Sequence, residues 1–245
     1  MIITYIRSSS YNNYDYCQMQ YFITYVLGHR SDSGKKAQLG TVVHKVMECL
    51  ASCQKRLQDK PQKSMYIEDD ALGKINFTPK SLLTKTFVSK LLTKSYEHYT
   101  QNCIHKYTGA DIKFCRGATE IALSYNDGQF DPRKRNIVDA EPQFDILIEE
   151  PWAKYKYKTP DGKTVEGQLA IKGTIDLVTQ VSDDTIEVID WKTGKRLNWA
   201  TGEEKTYEKL LDDPQLLLYN YAISKLYPDY KQAIMSIFFI KDGGP

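Results

Sequence analysis

The sequence predicts a mixed α/β protein, a central sheet with a helix packed on each face. Three observations predict it. From Leu39 to about Leu57, the residues Val42, Val43, Val46, Met47 and Leu50 fall at helical spacing. Between Ile137 and Lys192, short apolar segments alternate with turn residues, the pattern of strands. Asp213-Pro214 then reads as a helix start, and Ala233 to Ile240 as a closing strand. The resulting order is helix, three strands, helix, strand.

The elements follow along the chain. Residues 1–13 are polar and rich in Ser, Tyr and Asn, and a helix is expected over 16–27. Ser31 to Lys36 is a polar linker, and the helix from Leu39 carries His44 with Glu48 one turn later. Pro61, Gly73 and Pro79 among charges predict a loop or small excursion over 58–79. Helices are expected from Leu82 to Asn102 and from Ala110 to Tyr125, then a turn-rich basic loop from Asp127 to Arg135. Ile137 to Glu149 alternates as one strand and contains Glu141. Tyr155 to Val165 reads as a hairpin around Pro160-Asp161-Gly162, and strands follow at 168–180 and 185–192. Gln215 to Leu226 is helical. No internal repeat is seen.

Composition narrows the class. At 245 residues the chain is sized for one domain, or one with a subdomain insert. It is 41% hydrophobic and 26% charged, ordinary for a globular protein. The net charge of +2 excludes a global polycation, so any nucleic-acid surface must come from local clustering. No stretch approaches the roughly 20 apolar residues of a membrane span, and the start lacks a signal-peptide pattern. Five cysteines, an odd count without a regular framework, point to a reducing compartment.

The chemistry concentrates in two segments. One is Gly173-Thr174-Ile175-Asp176-Leu177-Val178, the other Glu187-Val188-Ile189-Asp190-Trp191-Lys192-Thr193-Gly194-Lys195. A hairpin through Ser182-Asp183-Asp184-Thr185 can set Asp176 beside Asp190, and strand alternation puts Lys192 on the face of Asp190. Carboxylates are the ligands a hard cation such as Mg²⁺ needs, and an adjacent ammonium stabilises a developing oxyanion. That is equipment for metal-assisted phosphodiester hydrolysis. The competing reading is Asp and Lys alternating on a solvated strand. The apolar flank of Ile186, Val188 and Ile189 opposes it, because it predicts a central strand where a carboxylate must be paired or metal-bound.

On these residues the chain resembles the PD-(D/E)XK nuclease superfamily, in its RecB-type branch, which includes CRISPR-associated spacer-acquisition nucleases and many phage exonucleases. Five stretches carry the resemblance over residues 8–219: Ser8-Ser9-Ser10-Tyr11 with Cys17 and the run from Tyr21 to Gly28; Gly40 to His44; Gly173 to Asp176; Asp190 to Gly194; and Gln215-Leu216-Leu217-Leu218-Tyr219, a Gln-x-x-x-Tyr signature. The resemblance implies a restriction-endonuclease-like core, a central mixed sheet flanked by helices with an α-helical insert near 60–125. It implies a single domain over 1–245, its catalytic core at about 37–57 and 137–245.

It further implies Mg²⁺ or Mn²⁺ held by His44, Asp176, Asp190 and the main-chain carbonyl of Trp191. Lys192 would act on the scissile phosphate together with Asp176 and Asp190. Glu141 is a site residue near metal or substrate, or an exposed strand residue. Gln215 and Tyr219, four apart, share a helical face toward the site or the DNA backbone, or form a helix rim. Lys195 touches a phosphate or is a solvated turn lysine. Lys154, Lys156 and Lys158 alternate with Tyr155 and Tyr157, giving a basic and an aromatic face that can hold DNA, or a lysine-protected edge strand. Arg133-Lys134-Arg135 is a second basic cluster.

Some relatives carry an iron–sulfur cluster on a Cys at the place of Cys17 and three late cysteines. No Cys follows Cys115 here, and no cluster is expected. The expected activity is a metal-dependent DNA nuclease, an exonuclease in the first place or else an endonuclease, acting on single strands or duplex ends in the cytoplasm of a bacterium, archaeon or phage-infected host. A separate helicase or a recombination or CRISPR partner would supply any motor, since no Gly-x-x-x-x-Gly-Lys-Ser/Thr loop is present. The alternatives are an inactive nucleic-acid-binding or assembly subunit and an RNA-directed nuclease.

Overall fold

A computed structural model describes residues 4–29, 33–101, 103–197 and 202–245. The expected helix end at Asn102 and the linker start at Ser31 lie outside these residues. In chain order come β1 (Tyr5–Ile6), α1 (Ser8–Tyr16), α2 (Gln18–Tyr21, continued by a wider turn to Val26), α3 (Lys35–Asp59), β2 (Met65–Asp69) and β3 (Gly73–Phe77). Then follow α4 (Pro79–Leu82), α5 (Lys85–Thr100), α6 (Gly109–Ser124), β4 (Asn136–Ala140), β5 (Gln143–Leu147), β6 (Lys154–Lys158) and β7 (Thr164–Gln168). The chain closes with β8 (Ala170–Thr174), β9 (Leu177–Gln180), β10 (Thr185–Lys192), α7 (Tyr207–Leu211), α8 (Pro214–Leu226) and β11 (Gln232–Phe239).

The expected mixed α/β class stands, with local corrections. The first helix begins at Ser8, not residue 16, and the excursion over 58–79 holds the hairpin β2–β3. Two expected long strands are each cut in two. Ile137–Glu149 breaks at Glu141-Pro142, where Glu141 takes φ 52° and Pro142 has no N–H to donate. The strand over 168–180 breaks at Ile175-Asp176. The halves join different sheets, one of order β1-β8-β5 and one of order β11-β10-β9-β4.

Two compact units result. One comprises residues 1–31, 143–174 and 198–230; the other comprises 32–142, 175–197 and 231–245. In the first, β1 runs parallel and β5 antiparallel to β8, α1 packs on α8, and β6–β7 form a separate hairpin. Asp213 caps α8, its carboxylate accepting from the Gln215 amide at 2.9 Å, as the Asp-Pro start predicts.

In the second unit, β10 lies between β9 and β11, antiparallel to one and parallel to the other. From Thr185 to Trp191 it is buried without interruption. Helix α3 covers β4 and packs against α5 and α6. Val42, Val43, Val46, Met47 and Leu50 are fully buried there, the stripe its spacing predicts. Packing of that stripe, rather than intrinsic propensity, holds α3 in place, since Gly40 and three Val weaken the helix locally.

Candidate active site

Every group of the site described next belongs to the second unit. On β9–β10 the register sets Leu177 opposite Ile189, so the next residue outward on each side is Asp176 and Asp190. Asp176 itself sits in the bend between β8 and β9 rather than on a strand. The two strand breaks coincide: the Glu141 amide donates to the Asp176 carbonyl, and the Ile175 amide to the Pro142 carbonyl, both at 3.1 Å. Glu141 and Asp176 are therefore neighbours although they are far apart in sequence.

The side chains form two ion pairs. His44 Nδ1 lies 3.3 Å from Asp176 Oδ2, which also accepts from the Trp191 amide at 2.9 Å. Lys192 Nζ lies 2.7 Å from Asp190 Oδ2. Burial works against a charge on His44, yet the hydrogen bond and charge of Asp176, aided by Asp190, hold its pKa above the ordinary value. Burial likewise disfavours the Asp176 anion, but His44, the Trp191 amide and Lys192 outweigh it and keep its pKa below the usual carboxylate range. Asp190 is 2% exposed, and burial raises its pKa, with repulsion from Asp176 adding and Lys192 opposing. Asp190 and Lys192 share a face, as alternation requires. The Trp191 ring is core packing.

Close packing aligns the pieces. A Cβ on Gly40 would stand 2.8 Å from Thr193 Oγ1, so only glycine lets α3 approach the loop after β10 this closely. That approach, one helical turn before His44, explains the Gly-x-x-x-His spacing.

A second acid cluster adjoins the first through Glu141. Glu48 and Glu141 share a hydrogen bond between their carboxyl groups, and burial, with Glu141 adding, pushes Glu48 up to about 7. Lys45 lies 2.5 Å from Glu48 and 3.2 Å from Asp69, and these carboxylates outweigh burial and raise its pKa. Glu48 was not among the expected site residues. Its signal was the four-residue spacing from His44, which puts both on one helix face.

The donor set suits a hard or borderline divalent ion: two carboxylates and an imidazole. Among the described residues no three such side chains are already gathered into a cage. His44 is instead turned onto Asp176, and Asp190 onto Lys192.

The other expected residues fall elsewhere. Lys195 is exposed in the loop after β10. In the first unit, Gln215 Nε2 donates to the Tyr219 hydroxyl at 2.7 Å, which donates to the Thr174 carbonyl at 2.8 Å. Tyr219 is buried and edge-on to Phe144, and its hydroxyl fastens the end of β8 to α8. Lys154, Lys156 and Lys158 are exposed on β6, Lys156 pairing with the exposed Glu166 at 2.9 Å.

The basic cluster at 133–135, in the second unit, is tied to neighbouring groups, with Lys134 exposed. Arg133 chelates buried Asp131, Lys134 donates to the Asp127 carbonyl, and Arg135 pairs with buried Glu187.

A family model describing the PD-(D/E)XK nuclease superfamily matches residues 8–244. The chain belongs to that superfamily. Its members are generally metal-dependent nucleases, typically using divalent ions such as Mg²⁺, and their fold implies a nucleic-acid substrate. No curated protein matches the chain. Among the described residues no helix is long and apolar enough to cross a membrane.

Proposed function

We propose that this chain is a metal-dependent deoxyribonuclease, acting as an exonuclease, with both units serving one nuclease domain. The observation that carries the reading is the convergence of His44, Asp176, Asp190 and Lys192, where register sets Asp176 beside Asp190 and each carboxylate makes an ion pair. His44, Asp176, Asp190 and the Trp191 carbonyl would hold the ion. A bound Mg²⁺ or Mn²⁺ supplies Lewis-acid charge at the phosphate and lowers the pKa of water.

The chain's own groups do the rest. Lys192, 35% exposed at its side chain, offers a positive charge to the phosphate as negative charge grows on it. Asp176 orients His44, and the Trp191 amide orients Asp176. Glu48, its pKa raised by burial to about 7, bonds Glu141 at the edge of the site. Lys154, Lys156, Lys158, Lys195 and Gln215 are read as contacts to the DNA backbone. No iron–sulfur cluster is part of this reading: Cys49, Cys53 and Cys115 are buried, and burial pushes Cys53 and Cys115 up to about 12.

The test separates ion binding from chemistry. Asp190→Ala should weaken Mn²⁺ binding and abolish cleavage together. Lys192→Ala should lower cleavage by about 10³-fold yet leave Mn²⁺ binding intact or slightly tighter, because it removes a like charge. Calorimetric Mn²⁺ titration beside a DNA cleavage assay reads both. Normal cleavage by Lys192→Ala would sink the assignment of this site; no cleavage by the parent chain would favour a binding subunit; cleavage of RNA but not DNA would redirect it to an RNA nuclease.

A further inference from the structure

The first unit carries a cleft of about 700 Å³ with an unusual lining. Tyr11, Tyr14 and Tyr21 enter from one side; Trp152, Tyr155 and Tyr157 enter from the other. Large rings normally bury most of their surface. Here Trp152 is 67% exposed, Tyr14 48% and Tyr11 46%. Tyr14 packs edge-on to Tyr21 at 5.4 Å, and Tyr155 lies 6.2 Å from Tyr157, so rings of each pair brace one another. An exposed aromatic patch of this kind marks a binding surface.

The charge around the rings identifies the occupant. Lys154 lines the same cleft, and no Asp or Glu stands among its described lining residues. Tyr11 and Tyr14, three apart, project from one side of α1; Ser9 and Asn13, four apart, project from another. That other side borders two small polar hollows of about 290 and 170 Å³, both lined by Arg7 and Ser9. Their remaining polar side chains are Ser, Thr, Asn, Gln, Tyr and Lys172, which pairs with exposed Asp145 at 2.6 Å. Arginine, lysine, hydroxyl and amide groups are those that contact nucleic-acid phosphates and sugars. Rings that stack on bases beside groups that hold backbone are the means by which unpaired strands are bound. A duplex offers no free base face to such a cleft.

We propose that α1 and the β6–β7 hairpin form a platform for an unpaired DNA strand. Bases stack on Tyr11, Tyr14, Trp152 and Tyr155, and phosphates run past Arg7 and Lys154. This gives a role to the Ser8–Tyr11 stretch, which the catalytic groups leave without one. The inference rests on the nuclease reading only for the choice of DNA, and makes the single strand the preferred substrate.

The test uses the full chain in EDTA, with a fluorescein-labelled oligothymidylate of about 12 nucleotides and a duplex of the same length. Tyr14→Ala with Trp152→Ala should weaken single-strand binding about 100-fold, roughly tenfold per ring, and leave duplex binding unchanged. Tyr14→Phe should bind like the parent chain. A strand carrying 5-iodouracil, photolysed on the unaltered protein, should crosslink to Tyr11, Tyr14, Trp152 or Tyr155 by mass spectrometry, which does not depend on a variant folding. Failure of the parent chain to bind oligothymidylate, equal losses for strand and duplex, or adducts only outside the cleft would overturn the proposal. Mn²⁺-dependent cleavage is scored separately: ring-dependent binding without cleavage sinks the nuclease reading alone, while cleavage with ring-independent binding sinks the platform alone.

Discussion

The two units treat charge in opposite ways. In the second, His44, Asp176, Asp190 and Glu48 are wholly or partly buried beside other charged groups, and their proton affinities are displaced. In the first, the lysines of β6 stand in water, and it is the aromatic rings that are out of their usual place. Buried charge has a large free energy that a reaction can use; exposed charge is screened and serves to attract and align.

The comparison can be broken most severely through Glu48. Its folded pKa of about 7 lies above the ordinary 4.5, so the folded state is favoured while the proton stays. That contribution is whole below about pH 4.5 and is lost as pH rises through about 7. His44, also raised, adds a loss of the same sign from 6.5 upward. The metal-free protein should therefore lose stability between about pH 5 and 8. In Glu48→Gln that loss should shrink by up to about 3 kcal/mol. Thermal unfolding in EDTA across this range measures it; identical pH profiles for both chains would mean Glu48 is not held protonated.

A smaller effect sharpens the packing side. Gly40→Ala should destabilise by about 1 kcal/mol, because the new Cβ meets Thr193 Oγ1 at 2.8 Å. Adding Thr193→Ala removes the collision and leaves the helix preference of alanine, turning the change into a gain of up to about 1 kcal/mol. Urea denaturation of the four chains of this cycle decides it, and additivity would refute the close approach.

The smallest effect on the fold belongs to the exposed charges. Lys156→Ala with Lys158→Ala should change stability by less than about 0.5 kcal/mol, since the Lys156–Glu166 pair lies in solvent. The same pair of changes should flatten the salt dependence of DNA binding by about one log–log unit per lost contact. An unaltered slope would make them protective edge residues.

Much of this was legible from the chain. Helix periodicity located α3 and His44; alternation put Asp190 and Lys192 on one face; Asp213-Pro214 marked α8; Pro160-Asp161-Gly162 marked the β6–β7 turn. These are local signals, set by 3.6- and 2-residue periods and by turn chemistry. What stayed hidden depends on contacts distant in sequence. Local patterns did not reveal that Glu141 leaves its strand at positive φ to meet Asp176, or that its carboxyl reaches Glu48. Nor did they reveal that the Arg133–Arg135 cluster is consumed by Asp131, Asp127 and Glu187, or that Tyr219 bonds Thr174. The sequence by itself determined which residue types could do chemistry and on which local element each stands. Only the tertiary structure decided which charges are buried together, because desolvation and through-space pairing arise when distant segments close on one another.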